Sequence, residues 1–223
     1  VKKNLTNYIN KVLYLFVFIG FGLAHAGSYD DFFTAIKQDD PGQIKALLAR
    51  GFDANTINPQ AQHGLYLAIR EPSPKVAQVL IDWPKTDVNS LNAEGESPLM
   101  LATLNGDQGL AEKLIKRGAD VNKTGWTPLH YAASSGQLTL ISLLLENSAY
   151  IDAESPNGTT PLMMAAMYGT PAAVKLLLQE GADPQLKNQQ GLSALDFAQR
   201  AKRPDSVEAI AGFIRGKRPA GKW

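Results

Sequence analysis

The chain is 223 residues long, 44% hydrophobic and 19% charged, with 22 lysines and arginines against 21 acidic residues. That composition belongs to a folded domain rather than a disordered or collagen-like chain, and a formal net charge of +1 gives no electrostatic ground for nucleic-acid binding. Cysteine is absent, so no disulfide staples the fold and no cysteine carries a lipid.

The amino terminus reads as a targeting segment. Lys2, Lys3 and Lys11 precede an uncharged apolar run from Val12 to Ala24, and Ala24-His25-Ala26 follows with small residues either side of a histidine. That is the order of a secretory signal peptide over residues 1–26, with the mature chain starting at Gly27. A bilayer span needs about 20 apolar residues and this run has 13, so no membrane anchor is expected after cleavage. No arginine pair precedes the core, which favours the general export route, and the expected location is periplasmic or secreted. Cleavage removes three lysines and no acidic residue, taking the formal net charge from +1 to −2.

Beyond residue 28 the chain repeats. Ala35, Ala68, Ala102, Ala132, Ala165 and Ala198 occupy one position in six similar segments spaced 33, 34, 30, 33 and 33 residues apart. Twelve residues after each alanine comes Leu47, Leu80, Leu114, Leu144, Leu177 or Ile210. In the fourth copy Leu129, Ala132 and Ala133 stand at helical spacing, Gly136 interrupts, and Leu140, Ile141, Leu143, Leu144 and Leu145 resume an apolar face, so each copy predicts helix, turn, helix. Ser97-Pro98, Thr127-Pro128 and Thr160-Pro161 supply a capping hydroxyl followed by proline at the first helical turn. Gly118 and Gly181, with Gly51 as a variant, end the second helices.

The copies are not identical. The first has Phe32-Phe33-Thr34-Ala35 at its core alanine. The second lacks a Thr-Pro start, carries Pro72 and Pro74 at its turn, and reads as the least regular. Counting from Asn122 to Ala132 gives 10 residues where the other copies have 13, so the tip between copies three and four has lost three. In the last copy the second helix is expected to shrink to Val207, Ile210 and Phe213, and residues 216–223 read as a basic disordered tail.

The period and the Thr127-Pro128-Leu129-His130-Tyr131-Ala132 core, echoed in GESPLMLATLNGD from Gly95 and GTTPLMMAAMYGT from Gly158, resemble the ankyrin repeat. The resemblance implies an all-α solenoid of six helix-turn-helix units over residues 27–215, the terminal ones acting as caps, joined by β-hairpin-like loops. It also implies a non-enzymatic protein-protein interaction module that is monomeric when free and binds its partner through a concave strip of loop tips and first-helix ends. Those positions read Arg70 and Glu71, Leu104 and Asn105, Ser134 and Ser135, Met167 and Tyr168, with Glu96, Trp126 and Thr159 ahead of the helices. Leu104, Trp126, Met167 and Tyr168 make the expected apolar centre.

No catalytic constellation is legible. His25 leaves with the leader, and His130 shares its slot with Phe33, Tyr66, Met100, Met163 and Asp196 in the other copies, which marks a packing or capping position. The resemblance implies that this histidine braces the turn before its own helix. No cofactor is expected, although Met100, His130 and Met163 in adjacent copies are soft donors of the kind that suit copper(I) or haem. The chain is similar to small periplasmic ankyrin proteins of Gram-negative bacteria, which implies support of an enzyme such as catalase in peroxide resistance. A toxin-neutralising immunity protein and a host-directed effector are the other binding readings.

Overall fold

The computed structural model describes residues 27–216. The leader expected at 1–26 and all of the expected tail except Gly216 lie outside the described residues. Packing separates the described residues into two compact units divided between Thr86 and Asp87, which hold repeats one and two and repeats three to six.

In the first unit, α1 spans 27–37, α2 Pro41–Ala49, α3 Gly64–Arg70 and α4 Pro74–Asp82. The Asp40 carboxylate accepts from the Gly42 and Gln43 backbone amides at 2.9 and 3.0 Å, which satisfies orphan donors at the start of α2. Phe32, Ala35 and Ile36 of α1 are buried with Ile44, Leu47 and Leu48 of α2. Residue 64 must be small here, because a Cβ on Gly64 would stand 2.6 Å from the Phe32 ring.

Repeat two is irregular as its sequence suggests, and its order comes from longer connections. The His63 side chain gives α3 no cap bond. Ser73 instead donates its buried hydroxyl to the Ile36 carbonyl at 2.6 Å, and the Asp39 carboxylate accepts from the Val76 amide at 2.9 Å. Both bonds tie α4 back to the end of α1, so polar groups from repeat one do the capping that repeat two lacks.

The second unit contains α5 Pro98–Asn105, α6 Gln108–Lys116, α7 Pro128–Ser135, α8 Leu138–Glu146, α9 Pro161–Met167, α10 Pro171–Gln179, α11 Ala194–Arg200 and α12 Pro204–Gly216. The odd-numbered helices form an inner row in the order α5, α7, α9, α11, and the even-numbered ones an outer row in the order α6, α8, α10, α12. The inner row is the more intimately packed because Ala102, Ala132, Ala133, Ala165, Ala166 and Ala198 line it, each wholly buried. Small side chains let helix axes approach toward the short end of the usual 8–10 Å range. The apolar residues twelve positions on, Leu114, Leu144, Leu177 and Ile210, are equally inaccessible. No strand ladder forms among the described residues, where a single antiparallel bridge, Ile57 to His63, stands alone.

The loops repeat as strictly as the helices. Three tips of the second unit begin with the same backbone bond across four residues, from Asn92 to Glu96, Ser155 to Thr159 and Asn188 to Leu192, each at 3.0 Å. Asn89 then clips to the next repeat, accepting from the Asp120 amide at 2.7 Å and donating to the Gly118 carbonyl at 3.0 Å. Asn122 does the same with Tyr150 and Ser148, both at 2.8 Å. The asparagine-type position that ends each unit in the sequence is therefore an inter-repeat fastener.

One expectation is corrected. The last outer helix does not shrink: α12 has 13 residues where α6, α8 and α10 have nine, and it includes Arg215 and Gly216. Val207 and Phe213 are half-buried beside the fully buried Ile210, and the helix runs on along that amphipathic face. The second helix of repeat four is followed by a left-handed residue that is not glycine, Ser148 at φ 65°. Its backbone carbonyl is held by Asn122, so the clip supports a conformation costly to a residue with a Cβ.

Candidate partner-binding surface

The inner helices of the second unit start from near-identical caps. Ser97 accepts from the Met100 amide through its hydroxyl, while the Met100 sulfur accepts from the Ser97 amide, both at 3.3 Å. Thr160 and Met163 form the same reciprocal pair at 3.4 and 3.5 Å. Ser193 and Asp196 close it with a carboxylate, and the hydrogen bonds from the Ser193 hydroxyl and amide hold Asp196 below the usual carboxylate range. In repeat four His130 Nδ1 accepts from the Thr127 amide at 3.2 Å, with the Thr127 hydroxyl 2.8 Å from the same nitrogen.

The other nitrogen of His130, Nε2, lies 2.8 Å from the Thr159 carbonyl. A carbonyl can only accept, so Nε2 bears a proton, while Nδ1 accepts from the Thr127 amide and bears none, which makes the ring the neutral tautomer. Burial lowers its pKa to about 4, against the opposing pull of the Thr159 and Ala153 backbone. His130 thus joins repeat four to repeat five. The soft donors Met100, His130 and Met163 sit on successive inner helices, and each is turned back onto its own cap rather than toward a shared centre. Ligating a copper or haem iron would compete with the caps of both methionines and, at His130, with either its cap or its bond to the Thr159 carbonyl.

The expected contact residues divide by what surrounds them. Arg70 and Glu71 end α3 in the first unit, exposed and ion-paired at 3.3 Å. In the second unit Leu104 is 43% exposed and Tyr168 58%. They close α5 and α9, while α7 between them ends in Ser134 and Ser135, whose hydroxyls both donate to the Tyr131 carbonyl. Two helix spacings put Leu104 and Tyr168 roughly 16–20 Å apart. Between them lies the low polar saddle of the serine pair. Asn105 is exposed beside Leu104 and Met167 half-buried beside Tyr168.

Three expected positions are corrected. Thr159 is 2% exposed, because its tip folds over the next helix start and its carbonyl is spent on His130. Trp126 is half-buried and its ring meets the His130 ring edge-on, with centroids 5.2 Å apart and planes at 76°. The shortened tip draws it onto its own helix, making it first a packing residue. Glu96 is also committed, accepting from Tyr131 Oη at 2.9 Å and from Asn92 Nδ2 at 2.9 Å, which braces the tip of repeat three against α7.

Two residues that position this surface have no counterpart in the sequence reading. Arg203 stands where Ser73, Asp107, Gln137 and Thr170 precede α4, α6, α8 and α10, and its guanidinium donates to the carbonyls of Met167, Tyr168 and Gly169. A cation on helix-terminal carbonyls complements the helix dipole, and here it fixes the backbone that presents Tyr168. Gly169 lies against the carbonyl of Ala133 in α7. The signal for Arg203 is a cation in the slot that holds Ser73, Asp107, Gln137 and Thr170 in the preceding copies; Gly169 gave none, since Gly106 and Gly136 at the same position hold left-handed turns.

The tips of repeats four to six border a shallow depression of about 560 Å³, lined by Thr124, Pro156, Lys187 and Gln189 among others. Gly125 lies in its floor with the Pro156 ring 3.6 Å from where a Cβ would be.

Known proteins match this architecture along most of the chain. The family model for ankyrin repeats (three copies) matches residues 32–124, 65–155 and 149–217. Neurogenic locus notch homolog protein 1 of Xenopus laevis is 33% identical over 114 residues, 50% of this chain and 4% of that protein. The B-cell lymphoma 3 protein homolog of Mus musculus is 30% identical over 125 residues, 53% of this chain and 28% of that protein. The chain therefore spans only a small part of these curated relatives. Among solved structures, a chain from the Bdellovibrio bacteriovorus predatory endopeptidase Bd0816 in complex with immunity protein Bd3460 has a TM-score of 0.70 and 31% identity, covering 82% of this chain and 97% of its own length. The ankyrin repeat protein EF0377 has a TM-score of 0.72 and 26% identity, covering 81% and 96%. From the shared period, the reciprocal caps and a family match running from residue 32 to residue 217, the chain belongs to the ankyrin repeat family, whose members are generally non-enzymatic protein-binding modules.

Proposed function

We propose that this chain is an exported binding module that neutralises an enzyme, a secreted peptidase being the best-supported class, by seating it on the inner-helix ends of repeats three to five. The observation that carries the proposal is the pair of exposed apolar residues, Leu104 and Tyr168, on ends of the inner row locked by Gly106 and Arg203. Rigid apolar anchors around a small polar saddle suit a partner's ridge, since binding then costs little ordering. The similar chain from a complex pairing an immunity protein with an endopeptidase supports the class of partner. The catalase-support and host-effector readings draw on no feature of this surface.

Export rests on Lys2, Lys3 and Lys11, the apolar run and Ala24-His25-Ala26. Expressed in an exporting bacterium, the soluble chain should have the intact mass of a protein starting at Gly27. Soluble material retaining Lys2 and Lys3 would remove the export part of the proposal.

The binding surface is tested with the enzyme that the purified chain captures from exported proteins. Tyr168→Ala should weaken binding by about 2 kcal/mol or more and Leu104→Ala by about 1–2 kcal/mol, and both variants should melt like the parent because these side chains face water. Trp126→Ala should instead lower the melting temperature, through the lost contact with His130. Stoichiometric addition of the parent chain should suppress the captured enzyme's activity. Calorimetry showing unchanged affinity in both exposed variants would discard this surface, and a captured enzyme that keeps full activity would discard neutralisation.

A further inference from the structure

The first unit holds a cavity of about 400 Å³ between α1, α3 and the 57–63 tip. We propose that it receives an aromatic side chain of the partner that carries a carboxylate immediately beside it, as an aromatic-acidic pair or an aromatic C-terminal residue does. This extends the reading of the chain as a protein binder to a separate pocket on the other compact unit.

The cavity's walls are rings. Tyr29 and Phe33 pack 4.8 Å apart at 59°, Phe33 meets Phe32 edge-on at 5.2 Å, and Phe32 continues to Phe52 at 4.8 Å. This chain of contacts runs from the cavity into the buried Phe32 and makes the wall rigid. Leu67 closes the apolar side. The opposite wall is the tip, fixed by the Asn58 side chain, which accepts from the Gln60 and Gln62 amides and donates to Gln62 Oε1 at 3.0 Å. At the small end of the usual range for ligand sites, the volume suits one side chain with its flanking backbone. A ring meets such aromatic edges best.

Charge selects what accompanies the ring. Arg70 at the rim is paired with Glu71 at 3.3 Å, which leaves little net charge there. Lys37 also lines the rim, is exposed, and makes no hydrogen bond or ion pair among the described residues. The cavity therefore presents an apolar floor with one uncommitted ammonium at its edge. Phe33 is the residue that repeat one carries in the slot where repeat four has His130, so the aromatic wall arises from a departure in that copy.

The test is an NMR titration of the isotope-labelled chain with N-acetylphenylalanine, its uncharged amide, and N-acetylaspartate, which lacks the ring. The acid should give saturable shifts confined to residues 29–37 and 58–71 with a Kd in the millimolar range. The amide should bind about fivefold more weakly, the worth of an exposed ion pair, and N-acetylaspartate should not saturate. Lys37→Gln, an exposed change, should bring the acid down to the affinity of the amide and leave the amide unaffected. Absence of saturable shifts at 10 mM, equal binding of acid and amide, or indifference to Lys37→Gln would each overturn the proposal. So would nuclear Overhauser contacts from residues 1–26 to Phe33, which would give the cavity to the chain's own leader. These probes need no captured enzyme, so failure of the neutralisation reading leaves this result standing, and the reverse holds as well.

Discussion

Replacing Gly169 with alanine should lower the stability of the second unit by about 3 kcal/mol or more, among the largest effects of any single change in the chain. The cause is space and not backbone conformation. A Cβ at this position would collide with the Ala133 carbonyl of α7 and stand 2.9 Å from both Cα and the carbonyl oxygen of Ala165. All these atoms are backbone, so neither neighbour can turn aside, and relief requires α7 and α9 to separate where their alanines are packed. Overpacking of a core costs about 1–3 kcal/mol when side chains can adjust and more when they cannot. Gly118→Ala is the control: its φ of 87° disfavours any side chain, yet nothing lies within 4 Å, so strain alone should cost about 1 kcal/mol. Urea denaturation of both variants measures the difference. Equal losses would show that α9 and α7 are not in backbone contact at this point.

Gly169 also shows why part of the structure is hidden from the sequence. The alternation of core alanine and apolar residue twelve positions later fixed the helix pairs correctly, because each is a local pattern repeated six times and a chance match would not stay in register. The Ser-Pro and Thr-Pro starts were equally legible, since a cap is set by residues within one turn. Gly169 occupies the same slot as Gly106 and Gly136, yet those hold left-handed turns at φ 75° and 69° while Gly169 serves a close approach between helices. One residue type meets two physical demands, and only the distance to α7 separates them.

The candidate surface was half legible for a related reason. Leu104, Asn105 and Tyr168 follow the core alanines on a helix, where periodicity decides which side faces outward. Thr159, Trp126 and Glu96 lie in tips, where exposure depends on how the loop folds over its neighbour. The three missing residues between Asn122 and Ala132 could be counted, but the resulting edge-on contact of Trp126 with His130 is a tertiary fact. Arg203 binds carbonyls 34 to 36 residues earlier, and no window of a few turns reveals such a partner.

The acid dependence of stability should be dominated in one window by His130, and a substitution already present in the chain isolates it. Met100 and Met163 occupy the same slot and use sulfur to accept the cap amide, so His130→Met keeps that bond and removes the titrating ring. At neutral pH the variant should be less stable than the parent by about 1–2 kcal/mol, having lost the hydrogen bond from Nε2 to the Thr159 carbonyl. The sign in acid follows from burial. The folded ring stays neutral down to about pH 4, while the unfolded chain protonates near the ordinary value of 6.5. The contribution of the neutral ring is thus complete above pH 6.5 and is lost as the pH falls to about 4, because only the unfolded state gains a proton in that interval. At about 1.4 kcal/mol per pH unit the loss approaches 3 kcal/mol. Other groups, including Asp152, whose carboxyl is raised by burial, act alike in both proteins and cancel in the difference. Denaturation at pH 7, 5.5 and 4.5 should show the variant overtaking the parent as acid is added. A stability difference that stays constant across those three conditions would mean that His130 is already protonated or open to water, and that the joint between repeats four and five is not built as described.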